Sequence, residues 1–145
     1  MNNLSKTQII FYTVDTAQAK ISAIVNLIKQ YFELERKILI AVPNDEAAKY
    51  VDHLLWRYSE ESFLPHAVCH KVCIEAIAFT TVPQNLNQAQ ILVNLCPAAS
   101  PIASQFEYVM ELLDNTHPDK KQLSLQRQED YKKSGHQVME RMPAK

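Results

Sequence analysis

Hydrophobic and polar positions along this chain switch between a period of two and a period near 3.6. Thr7–Val14 (TQIIFYTV) is a run of β-branched and aromatic residues, the pattern of a buried strand. Asp15 follows with Gln18 three residues on, the spacing of a capping box. Ile21, Ile24, Val25, Ile28 and Phe32 then recur at helical intervals, which predicts an amphipathic helix over Thr16–Glu35. Lys37–Val42 (KILIAV) reads as the next buried strand. Pro43 stops it, Asn44 can cap a helix, and Asp45 and Glu46 suit the positive helix end. Ala47, Val51, Leu54 and Leu55 supply that helix's buried stripe. A strand–helix–strand–helix order with short links favours parallel pairing.

The second half is less regular. Cys73–Thr80 and Gln90–Leu95 read as strands, with a loop lacking a buried pattern between them (PQNLNQ). Ser100 and Pro101 mark a helix start. Ile102, Phe106, Val109, Met110 and Leu113 fit one long helix, yet YVMELL (Tyr108–Leu113) fits a short strand after a turn or two equally well. Asp119 and Gln122 repeat the cap spacing and open a last helix to about Ser134, with Gly135 in the left-handed position that ends it. Its apolar stripe is thin: Leu123 and Leu125, with Tyr131 further along. Residues 137–145 are expected to fray. The whole is predicted to be one α/β domain with three layers around a largely parallel sheet, Rossmann-like in topology.

Composition narrows the function. The chain has 145 residues and a net charge of −1, so no overall field would hold a nucleic-acid backbone, and contact with DNA is expected only indirectly. It has one glycine, where average usage of ~7% would give about ten. Neither glycine-rich phosphate-binding motif can therefore be written, and no nucleotide or other cofactor is expected. No apolar run approaches the ~20 residues of a membrane span. Three cysteines without an export signal predict free thiols in a reducing cytoplasm.

Candidate chemistry is thin. Cys69, His70, Cys73 and Cys96 lack the second ligand pair that a zinc site uses, and inert thiols account for them better. His66 and His70 flank Cys69, but nothing supplies an oxyanion hole. Glu60 and Glu61 are adjacent carboxylates in a polar loop, a solvated arrangement rather than an acid/base pair. More informative is Leu54–His66 (LLWRYSEESFLPH), which sets Trp56, Tyr58, Phe63 and Leu64 around four polar residues. The aromatics could fold back onto the sheet edge, or they could anchor a partner, as interface-centre residues do. The two readings stand level. From Asp119 to Lys145 seven Lys/Arg oppose four Asp/Glu, so the last helix is either a solvated face or a holder of peptide carboxylates.

Lys37–His66 resembles the chi subunit of bacterial DNA polymerase III. The family pattern is present in Ile40–Ala41, Asp45–Glu46, Leu55–Trp56, Glu61–Ser62–Phe63 and Pro65–His66, and weaker similarity continues at Phe11–Tyr12, Ile91–Leu95 and Tyr131–His136. The resemblance implies a non-catalytic clamp-loader component, and the isolated chain is expected to be monomeric. It implies two partners: the psi subunit, and the acidic, apolar C-terminal tail of single-stranded-DNA-binding protein. It places psi against Trp56, Phe63, Leu64, Pro65 and His66. It places the tail against the last helix, at Lys121, Leu125, Arg127, Gln128 and Lys132, with a nearby pocket for its terminal phenylalanine. This chain carries Leu125 and Gln128 where relatives commonly have an arginine and an aromatic. Losing a charged hydrogen bond is worth about 1.5–3 kcal/mol, so the tail should bind about tenfold or more weakly.

Overall fold

The computed structural model describes residues 6–58, 66–68 and 73–142. The order is β1 (Gln8–Val14), α1 (Ala17–Glu33), β2 (Ile38–Ala41), α2 (Asp45–Tyr58), β3 (His66–Val68), β4 (Ile77–Thr80), β5 (Ile91–Asn94), a 3₁₀ turn (Ala103–Gln105), β6 (Tyr108–Asp114), α3 (Pro118–Lys133) and β7 (Gln137–Arg141). The strands form one seven-stranded sheet in the order β3-β4-β2-β5-β6-β1-β7, and every pairing is parallel. A parallel sheet must be covered on both faces. Alternation within the strands divides the core accordingly: Ile10, Tyr12, Ile38, Ile40, Val93 and Met110 pack under α1 and α2. Ile9, Phe11, Leu39, Leu92 and Val109 face the other way, with Tyr131 of α3. The chain is thus an α/β, three-layer domain, and its parallel character is complete among the described strands.

Several local expectations are corrected. α1 is capped by Thr16, whose hydroxyl accepts from the Ala19 N–H at 3.0 Å. Asp15 instead accepts from Asn115, at 2.9 Å. α3 is capped by His117, whose Nδ1 accepts from the Asp119 N–H at 3.1 Å, so Asp119 lies inside the helix. Asn44 does cap α2, accepting from Ala47 at 2.9 Å. The ambiguous stretch resolves as β6, because Tyr108–Asp114 pairs with β1 along its whole length. The loop before β5 is not devoid of buried residues: Leu86 packs under the sheet, and Asn87 is fully buried, donating to the Ile38 and Glu75 carbonyls at 3.1 and 2.9 Å. Residues 137–141 do not fray but form edge strand β7, in register with β1 from Gln8↔Gln137 to Tyr12↔Arg141. Val138 and Met139 hold it by packing against opposite faces of the core. Cys73 is disulfide-bonded, against the expectation of free thiols throughout, whereas Cys96 is free.

Helix ends show how a chain with one glycine turns its corners. α3 closes with the Gly135 N–H on the Lys132 carbonyl and the His136 N–H on the Tyr131 carbonyl, with Gly135 at φ 87°. α1 closes with the same pair of bonds, Glu35 to Phe32 and Arg36 to Tyr31, but Glu35 occupies the left-handed position at φ 59°. Both are Schellman closures. Only the second sets a side chain where glycine is ordinarily favoured.

Candidate protein-docking surfaces

Trp56 lies in the last turn of α2 with 51% of its surface exposed. The helix periodicity explains this: Val51, Leu54 and Leu55 take the buried stripe, and position 56 falls beside it. Phe63, Leu64 and Pro65 lie outside the described residues. His66 begins strand β3, paired with Ile77 of β4. The sheet edge that follows α2 is therefore the edge toward which the tryptophan's helix leads.

α3 is on the opposite face, and its attachment is unusual. Its buried residues are Ser124, Arg127, Gln128 and Tyr131, while Leu123 and Leu125 face solvent. Arg127 donates from Nε to Glu111 Oε1 at 2.8 Å, from Nη1 to the Pro97 carbonyl at 3.1 Å, and from Nη2 to the Leu112 carbonyl and Ser124 Oγ at 3.0 and 3.2 Å. Glu111, at 1% exposure, also accepts from Asn94 at 2.7 Å and from the Tyr131 hydroxyl at 2.5 Å. The Tyr131 oxygen accepts the Ser100 N–H at 2.9 Å, and Ser124 accepts the Asp114 N–H at 3.0 Å. Burial pushes the Glu111 carboxyl up to about 7, while the Arg127 guanidinium and bonds from Tyr131 and Asn94 pull it down. Burial, with the neighbouring carboxylate, also raises the Tyr131 hydroxyl.

At 3.6 residues per turn, Lys121, Leu125, Gln128 and Lys132 fall on one stripe about 60° wide, and Arg127 lies about 100° from its nearest member. The structure thus brings four of the five expected tail-contact residues together and sets the fifth apart. Lys121 and Lys132 are exposed and form no ion pair among the described residues. Leu125 is 41% exposed between them. Gln128 is buried at the edge of the stripe and donates to Glu140 of β7 at 2.9 Å.

A third surface was not foreseen. β2 leads away toward β3 and β5 toward β6, so the chain diverges between these neighbouring strands, where open α/β sheets form a crevice at their carboxyl ends. A cavity of about 330 Å³ opens there, walled by Val42, Leu95, Val51 and Leu112. Tyr50 of α2 and Leu123 of α3 line it, and both are substantially exposed. Tyr50 carries no motif, and only the joining of distant elements by the topology reveals its neighbourhood. Cys96 also lines it, but burial raises its thiol, which leaves it a poor nucleophile. No cluster of three or more His, Cys, Asp or Glu able to hold a metal occurs among the described residues.

A polar helix pinned by its own buried charges, and a half-exposed tryptophan across the sheet, suit contact with other proteins better than chemistry. The family model for the DNA polymerase III chi subunit, HolC, matches residues 7–139. The chain belongs to the DNA polymerase III chi subunit family. It is by that membership an accessory subunit of the replicase, and the matched span runs from the first core strand into β7. No curated protein matches the chain. No helix among the described residues is long and apolar enough to cross a membrane.

Proposed function

We infer that this chi-family subunit is a non-catalytic tether acting in the cytoplasm. One face docks psi, or an equivalent clamp-loader component, and the other holds the acidic tail of single-stranded-DNA-binding protein. The half-exposure of Trp56 on α2 is the observation that carries the reading. A large ring left partly uncovered loses little on folding and gains on docking. Phe63, Leu64, Pro65 and His66 extend the psi surface in this reading. For the tail, Lys121 and Lys132 meet carboxylates while Leu125 offers an apolar rest for the terminal ring. Arg127 and Gln128 take part only indirectly, since both are already engaged within the fold. Two moderate affinities on one rigid body raise local concentration without new contacts.

Titration of a labelled acidic peptide ending in phenylalanine tests the tail site, with Lys121→Glu as control. Binding by the wild type and loss in the control support the assignment, and equal affinity in both removes α3 from it. A second reading, an adapter for a different partner, is favoured by the crevice between Tyr50 and Leu123. Capture of psi that survives both Trp56→Ala and Phe63→Ala would remove the assigned psi surface, and capture of a different replication or repair protein that is lost in Tyr50→Ala would favour the second reading.

A further inference from the structure

An amphipathic helix is normally seated by an apolar stripe, but α3 buries four residues that all carry polar groups. Their hydrogen bonds reach Glu111, the Leu112 carbonyl and the Asp114 N–H on β6, Pro97 and Ser100 in the loop beyond β5, and Glu140 on β7. Apolar contacts tolerate sliding and rotation, because dispersion and burial are non-directional. Hydrogen bonds do not, because they weaken steeply away from linearity. Turning α3 by one residue, about 100°, would withdraw Arg127 and Tyr131 from Glu111 and carry Lys121, Leu125 and Lys132 out of line. A buried ion pair used for conformational specificity has precedent in principle, and it must be argued protein by protein.

We propose that Glu111 and Arg127 are positioning residues for the docking face of α3, fixing the rotation at which Lys121, Leu125 and Lys132 are presented. This rests on the tail-binding reading. The Glu111 side chain is fully buried and cannot contact a peptide, so any effect of its replacement on binding must travel through the helix.

The experiment pairs two readouts on the full chain. The first is affinity for the labelled acidic peptide ending in phenylalanine. The second is amide hydrogen exchange across Pro118–Lys133, compared with β1 and β6. Glu111→Gln keeps the side chain's shape but cannot accept from Arg127, Asn94 and Tyr131 together. It should exchange at least tenfold faster along α3, with β1 unchanged, and bind at least threefold more weakly. Tyr131→Phe removes one arm of the network, keeps the ring in the core, and should give a smaller loss in the same direction. It serves as the working variant if Glu111→Gln does not fold. If the variants leave both α3 exchange and affinity within twofold of wild type, the inference is wrong and the tail reading stands. If the wild type fails to bind the peptide, the tail reading fails, and α3 exchange alone decides whether the network pins the helix. Faster exchange with unchanged affinity would separate the network from presentation and overturn the proposal.

Discussion

Replacing Trp56 with alanine removes the anchor of the proposed psi surface. A tryptophan can bury about 150–250 Å², and 51% of this one is exposed in the isolated chain. Docking can therefore cover about a further 100 Å². At ~25 cal/mol per Å² that is about 2.5 kcal/mol, or roughly 70-fold in affinity. The cost to the fold should be smaller, about 1–2 kcal/mol, because full truncation costs of 3–5 kcal/mol apply to wholly buried rings. Calorimetric titration against purified psi measures the first number, and a thermal melt followed by circular dichroism measures the second. Trp56→Phe, which keeps most of the apolar area, should recover most of the affinity. A loss below threefold in Trp56→Ala, with the fold intact, would refute the argument, since the ring would then lie outside the contact.

The helix closures give a pair of stability predictions of opposite sign. Glu35→Gly should stabilise by about 0.5–1 kcal/mol by relieving a left-handed side chain, and Gly135→Ala should destabilise by about 1 kcal/mol, both read from urea midpoints. Gly135→Ala meets no steric obstacle, with nothing within 4 Å of the added carbon, so its cost isolates the backbone term. Glu111, facing Arg127, Tyr131 and Cys96, has its carboxyl raised from 4.5 to about 7 by burial. The folded state therefore holds its proton more tightly than the unfolded chain. Its contribution to stability is full below pH 4.5 and is lost as pH rises through 7. Wild type should accordingly lose stability relative to Glu111→Gln across that interval in denaturant titrations, and a flat difference would contradict it. Asp114 has the opposite sense. Burial opposes its charge, but the Lys20 ammonium at 2.7 Å and bonds from Thr116 outweigh that and lower its pKa. Asp114→Asn should cost stability at neutral pH and progressively less as pH falls below about 4.

The parts of the fold with strong periods were legible in the sequence. Ile21 to Phe32 announced α1, the KILIAV run announced β2, and Asn44 announced a cap, because each signal is local. β6 stayed ambiguous because YVMELL is apolar enough for either state, and only pairing with β1 decides it. β7 was missed because a short edge strand with two half-buried residues has almost no alternating pattern. The family resemblance places Arg127 with the tail contacts, and a basic residue on a polar helix carries no sign of burial to correct it. Its partner, Glu111, is sixteen residues away on β6. The caps of α1 and α3 shifted by one or two positions because threonine and histidine can accept an N–H as aspartate does. Trp56 was identified by sequence, but its exposure is a matter of helix phase and packing. The crevice at Tyr50 and Leu123 depends wholly on topology.

Tethering is the claim on which the functional account rests, and the two proposed faces lie on opposite sides of the sheet. The most direct measurement is sedimentation velocity of the subunit mixed with a psi-containing clamp loader and single-stranded DNA coated with its binding protein. The account predicts a single faster-moving species containing all components, lost with Trp56→Ala or Lys121→Glu. Mutual exclusion, with either partner displacing the other from the subunit, would contradict it.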